Sequence, residues 1–281
     1  MLHDTHVHLD LLLERLDILP KLNRYFPTSH DYDHTILDDL LKDHEFVLQA
    51  SLDANNFLLN KFLTSWNPKV KYLFGMHPDE INLKTDVVST IAFQTTILQS
   101  HLNKQIVGIG EVGLDYSVTD NVIIQAKQKE IFEGHLDLAV LNNLPVAIHV
   151  RDVQGTDTAM LDVLTILERY PQLYSRFAIH CFTGNYGHVT KILEMGGYFG
   201  LGGVITYPSG KDIANLIPKI PLSNILIETD LPFLSPVPHR GETCKPAFVQ
   251  LVGAKIAGIL GISEQLVWEK TRQNAGTLFG L

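Results

Sequence analysis

Eight short runs rich in Val, Ile, Leu and Phe recur along these 281 residues, separated by longer mixed segments, and this rhythm restricts the fold more than any other feature. They cover roughly Leu2–Leu9, Glu45–Ser51, Val70–Met76, Gln105–Gly110, Pro145–His149, Arg176–His180, Gly197–Leu201 and Asn224–Glu228. Strands buried on both faces of a parallel sheet read as such apolar runs, and parallel neighbours need a crossover that is usually a helix. The intervening segments suit that role. Asn121–Asn143 is rich in helix formers with an apolar stripe, and Ser263–Phe279 has apolar residues at helical spacing. Eight such units predict one α/β domain over residues 1–281, a (β/α)8 TIM barrel. The stretch from Leu11 to His34, with Pro20 and Pro27, breaks the rhythm. It reads as an irregular first βα loop, on the face where barrels build their sites.

The formal net charge of −9 argues against a broad basic surface holding duplex nucleic acid by counterion release. Phosphate chemistry then needs local positive charge, which bound divalent cations supply. No apolar run reaches the roughly 18 residues of a membrane span, and the amino terminus lacks the basic-then-apolar order of a signal peptide. The chain is expected to be cytoplasmic, with no membrane partner. Cys181 and Cys244 lack the spacing of a thiolate metal site and read as free thiols.

Six residues with metal-binding side chains lie at or just beyond the carboxyl ends of these runs. They are His6 and His8 in the first, Glu111 just after the fourth, His149 closing the fifth, His180 closing the sixth and Asp230 after the eighth. A His-x-His pair on a strand presents both imidazoles on one side, because side chains alternate with a period of two. By the same parity, Val107, Ile109 and Glu111 share one face of the fourth strand. Singly, each residue has an ordinary reading as a hydrogen-bonded histidine, a helix cap or a turn aspartate. Together, all at the end where barrel strands converge, they point to a metal-dependent hydrolase. Two cations clamping a phosphodiester would activate a water, with Asp230 the candidate to take its proton.

The ordered motifs His6-Val-His8-Leu-Asp10, Gly75-Met-His77-Pro78, Gly110-Glu111-Val-Gly113-Leu-Asp115-Tyr116, His149-Val-Arg151-Asp152, His180-Cys-Phe182-Thr-Gly184 and Glu228-Thr-Asp230-Leu-Pro232 span nearly the whole chain. In them the chain resembles the TatD-type metal-dependent hydrolases, the deoxyribonuclease-like branch of the amidohydrolase-type barrels. The resemblance implies one metal held by His6, His8, Glu111 and Asp230, and a second held by Glu111, His149 and His180. The cations would be Mg, Mn or Zn. It also places the His77 motif at the pocket, where this imidazole would contact phosphate or a leaving oxygen.

Arg151 has the planar fork that suits phosphate oxygens, against the alternative of a salt bridge to Asp152 or Glu111. Glu228 shares the parity of Asp230 and is a candidate to orient a ligating histidine. Two regions depart from the family pattern: the segment from Leu11 to Leu40, and Arg240-Gly241-Glu242-Thr243-Cys244-Lys245-Pro246, where Cys and Lys replace the usual amide and acid. The expected activity is a nuclease acting on DNA or another phosphoester, single-stranded or at ends. Hydrolysis of an amide or ester is the enzymatic alternative, and a partner-binding barrel with residual metal binding is the non-enzymatic one.

Overall fold

In the computed structural model, which describes residues 1–18 and 34–281, all eight expected strands form and run parallel. The first half runs β1 (Leu2–Val7), α1 (Leu9–Arg15), α2 (His34–Leu40), β2 (His44–Ala50), α3 (Ala54–Thr64), β3 (Val70–Phe74), α4 (Val87–His101) and β4 (Ile106–Asp115). The second runs α5 (Val122–Asn142), β5 (Val146–Arg151), α6 (Thr158–Leu167), β6 (Phe177–Ile179), α7 (Tyr186–Glu194), β7 (Tyr198–Leu201), α8 (Lys211–Leu216), β8 (Ile225–Ile227), α9 (Val249–Leu260) and α10 (Glu264–Phe279). Each strand pairs with its sequence neighbours. The ring closes just past β8, where Val7 bridges Leu231 in parallel, the His8 N–H donates to the Leu231 carbonyl at 2.8 Å and the Asp230 N–H donates to the His6 carbonyl at 3.0 Å. This is the (β/α)8 TIM barrel that the alternation predicts.

Strand alternation sorts the core into two layers. Phe46 and Leu48 of β2 face inward and pack with Leu73, Val107 and Tyr198, whereas Val47 belongs to the larger layer beneath the helices with Phe57 and Phe74. Ala275, Leu278 and Phe279 of α10 join the inner layer, so the last helix closes the amino-terminal end of the barrel. The opposite end is left for the site. Helix boundaries follow local chemistry. The side chains of Asp53, Asp86, Asn121, Asn185 and Ser263 accept backbone N–H groups at the starts of α3, α4, α5, α7 and α10. Asn143, at φ 55°, ends α5 in the left-handed conformation that asparagine tolerates.

Three expectations are corrected. The span from Leu11 is not wholly irregular, because Leu9–Arg15 is helical and buries Leu12 and Leu13; its remainder from 19 to 33 lies outside the described residues. Glu111 does not follow the fourth strand but lies inside it, since β4 continues to Asp115. Nor do Val107 and Ile109 share a face: Val107 packs inside the barrel and Ile109 beneath the helices, and a register shift between Ile109 and Val112 separates Glu111 from the simple alternation. A strict period of two holds only where pairing is regular. No single helix among the described residues is long and apolar enough to cross a membrane.

His135, fully buried on α5, donates from Nδ1 to the Ile131 carbonyl at 2.8 Å, and its Nε2 has no partner. Burial pushes its pKa down to about 4. Because the folded value lies below the unfolded one, the unfolded chain takes up the proton first as pH falls below about 6.5, and stability is lost in that direction. In urea unfolding, the stability of wild type relative to His135→Leu should fall by about 2 kcal/mol between pH 7 and pH 5. An unchanged difference would show that His135 protonates as readily in the folded protein.

Candidate metal centre

Five imidazoles surround one carboxylate at the open end of the barrel. Glu111 is 2% exposed; its Oε2 lies 3.1 Å from His6 Nε2 and 3.5 Å from His8 Nε2. Its Oε1 lies 2.6 Å from His149 Nδ1, 3.6 Å from His77 Nε2 and 3.7 Å from His180 Nε2. Asp230 Oδ1 adds a second carboxylate 3.4 Å from His8 Nε2 and 3.7 Å from His180 Nε2. Asp230 itself sits at φ 60°, a left-handed conformation unusual for a residue with a side chain and concentrated at functional sites.

A further shell fixes the rings. His180 Nδ1 lies 2.9 Å from Glu228 Oε1, which also accepts the Cys181 N–H. The Glu228 carboxylate fits there because residue 200 is glycine; a Cβ on Gly200 would collide with it. His149 Nε2 lies 3.2 Å from Asp115 Oδ2, while Asp115 Oδ1 accepts from the Ser117 N–H and hydroxyl. Gly113 lets β4 approach β5 at that level, since a Cβ there would strike the His149 backbone. The role of Asp115 is missing from the expected site. The signal was available, because Asp115 lies four residues beyond Glu111 and so shares its parity within the regular end of β4.

The electrostatics follow from crowding without water. Burial alone would raise Glu111, but the imidazoles of His6, His77 and His180 and the hydrogen bond from His149 hold it well below the usual carboxylate range. Burial opposes protonation of His8, His149 and His180 as well, yet nearby carboxylates outweigh it and raise them to about 10, 9 and 9. His6, stacked 3.5 Å from His180, is pushed down by burial and by that neighbour. Glu111, Asp230, Glu228 and Asp115 have no lysine or arginine ion-pair partner among the described residues; imidazoles alone face them.

That donor set fits divalent cations. His6, Glu111 and His180 bring ligand atoms within 4.8 Å of one another, as do His6, His8 and Asp230, and His77, Glu111 and His149. Imidazole nitrogens mixed with carboxylate oxygens, buried and without another counter-charge, suit Zn, Mn or similar ions. The six expected ligands thus converge, although the second set divides: His149 and His180 approach the same oxygen of Glu111 from different groups. His77 is distinguished by its other nitrogen. Nδ1 accepts the Asp79 N–H at 3.1 Å, so the neutral ring carries its proton on Nε2 and aims a donor into the centre.

Arg151 stands exposed at the end of β5 without an ion pair among the described residues. The expected alternative partner is engaged elsewhere, since Asp152 accepts the Ala159 and Met160 N–H groups at the start of α6. The altered loop after β8 is held by its backbone: the Cys244 N–H donates to the Pro232 carbonyl at 3.1 Å and the Glu242 carbonyl accepts from Ser235 Oγ at 2.8 Å. Arg240 lies over the Tyr207 ring, 4.6 Å from its centroid.

A parallel barrel with buried histidines and carboxylates gathered at its carboxyl-terminal end defines the class of metal-dependent hydrolases. A family profile described as TatD related DNase matches residues 3–280, and the chain belongs to that family. It is 28% identical to an uncharacterized metal-dependent hydrolase, YcfH, of Escherichia coli K12 over 98% of this chain and 94% of the relative. It is also 33% identical to the protein named 3′-5′ ssDNA/RNA exonuclease TatD of Klebsiella pneumoniae, over 63% of this chain and 66% of the relative. The crystal structure of YjjV, a TatD homologue from Escherichia coli, superposes with a TM-score of 0.80 at 22% identity, covering 99% of this chain and 98% of that one.

The orienting carboxylates provide a test that needs no substrate. Partners that fix a ligating imidazole typically govern about 10- to 100-fold in metal affinity. Asp115→Asn and Glu228→Gln should each weaken Zn binding by that amount in competition with a chromophoric chelator. Unchanged affinity in both would remove their orienting role.

Proposed function

We propose that this protein is a divalent-metal-dependent phosphodiesterase, a nuclease acting on single-stranded or frayed ends of DNA. The observation that carries this reading is the buried Glu111 carboxylate ringed by imidazoles, with the Nε2–H of His77 pointing into the centre and the exposed Arg151 two residues beyond His149 on β5. Two cations, one held by His6, His8 and Asp230, another by His149 and His180, with Glu111 shared, would supply Lewis acidity toward phosphoryl oxygen, lower the pKa of water and neutralise phosphate charge. The many imidazoles favour Mn or Zn over Mg.

The chain's own groups divide the remaining work. Asp230 presents Oδ1 to His8 and His180, which leaves Oδ2 to orient the attacking water and take its proton. His77 donates from Nε2 to a non-bridging phosphate oxygen, and Arg151 offers a planar pair of donors to the same group. Burial of the surrounding acids keeps bulk water from competing. The acidic chain, with one arginine at this edge of the site, suits ends and single strands better than a duplex held along its length. The name of the Klebsiella pneumoniae relative agrees with this substrate class.

The test uses chelator-treated protein and end-labelled single-stranded DNA, with Mg, Mn or Zn restored separately. Cleavage should require metal, and Glu111→Ala should reduce it to background. Substitution of one aimed donor costs about 100- to 1,000-fold in kcat in comparable sites, so His77→Ala should lose that much while retaining its metal. Full activity in Glu111→Ala would sink the two-metal mechanism, and metal-replete protein inert toward DNA would sink the nuclease reading.

A further inference from the structure

A cavity of about 750 Å³ opens beside the metal centre, between the loops that follow β5, β6 and β7. Two of the ligand-bearing strands run into its wall: Arg151 stands two residues beyond His149, and Thr183 three beyond His180. The chain segments that carry His149 and His180 thus continue directly into the cavity wall. The size falls within the range of small-molecule sites, which combine an apolar lining with a few placed polar groups. Here the buried Met160 and Ile213 supply apolar surface.

The polar groups exclude a second phosphate. Asp152, Asp157 and Asp212 line the cavity, and Arg151 is the only lysine or arginine among its described lining residues. Carboxylates repel phosphate but accept hydrogen bonds from amino groups, as aspartate and glutamate do from the exocyclic amine of cytosine. Of the three acids, Asp152 is committed to the start of α6, whereas Asp157 is presented by a built contact. The buried His188 accepts the Asn185 N–H on Nδ1 at 3.1 Å, which leaves its proton on Nε2, 3.4 Å from Asp157 Oδ2. At the rim, Tyr186 begins α7 and is 60% exposed, leaving ring surface for stacking.

We propose that this cavity is the subsite for the nucleobase attached to the phosphate at the metal centre, with Tyr186 as its stacking face and Asp157 as acceptor for an exocyclic amino group. The assignment rests on the nuclease reading. It adds that base identity is sensed, with cytosine favoured over thymine, and that Arg151 marks the junction between phosphate and base.

The test separates base from phosphate. Calorimetry with Mn present compares deoxycytidine 5′-monophosphate, thymidine 5′-monophosphate and 2-deoxyribose 5-phosphate. In parallel, kinetics compare single-stranded oligonucleotides whose two terminal residues at each end are either cytosine or abasic. Wild type should bind deoxycytidine monophosphate at least about tenfold more tightly than the sugar phosphate, the size expected of one aromatic stack. Tyr186→Ala should erase that difference and raise KM about tenfold for the cytosine substrate only, with kcat and KM on the abasic substrate unchanged. Asp157→Asn, which keeps shape, should remove the preference for cytosine over thymine. Equal binding of nucleotide and sugar phosphate by wild type, or a Tyr186→Ala protein that still discriminates, overturns the subsite even if DNA is cleaved. Discrimination in binding without cleavage of any oligonucleotide sustains the subsite and sinks the nuclease reading alone.

Discussion

Closure of the parallel sheet is the constraint on which everything else depends. Two backbone hydrogen bonds close it, from His8 to the Leu231 carbonyl and from Asp230 to the His6 carbonyl. Both involve residues of the candidate metal centre. The seam that completes the barrel is therefore also the device that brings a histidine pair from the start of the chain to an aspartate more than two hundred residues later. Neither partner can shift without disturbing a ladder whose unpaired backbone groups would be costly to bury. The regular scaffold and the irregular chemistry share the same atoms at that point.

Within this frame, Glu111 sets the local energetics. A carboxylate taken out of water is unfavourable unless its lone pairs meet donors or cations, and burial here is nearly complete. The imidazoles of His8, His149 and His180, raised by the surrounding carboxylates despite burial, answer that demand. Divalent cations answer the same demand with more charge in less space. The residues beside the rings are Asp115, which ends β4, and Glu228, one residue past β8 with its N–H on the Leu201 carbonyl, and Gly113 and Gly200 make room at these levels. Their positions therefore derive from the backbone pairing of the barrel.

Much of this was legible in the residues alone, because it depends on short-range patterns. Eight apolar runs alternate with helical segments, and the ligands stand at one end of those runs, so the barrel and its convergence follow from period and position. What escaped depends on departures from the period or on distant pairing. Glu111 lies within β4, where one register shift against β3 at Val107 separates Val107 from Ile109 and a second against β5, between Ile109 and Val112, takes Glu111 out of the alternation. The proton position of His77 depends on a neighbouring backbone N–H that no motif encodes. The cavity beside β5 is assembled from three separate βα loops, each unremarkable by itself. Asp115 is different, because its parity with Glu111 at the regular end of β4 is visible in the residues alone.

The loop after β8 carries a broader consequence. Its path is held in part through main-chain groups, with the Cys244 amide on the Pro232 carbonyl and the Glu242 carbonyl accepting from Ser235. A segment anchored in this way can change the exposed side chain at Lys245 without losing those bonds, whereas the Cys244 side chain is fully buried in the core. The exposed Lys245 can therefore reshape the surface of this loop while the main-chain bonds that set its path stay in place.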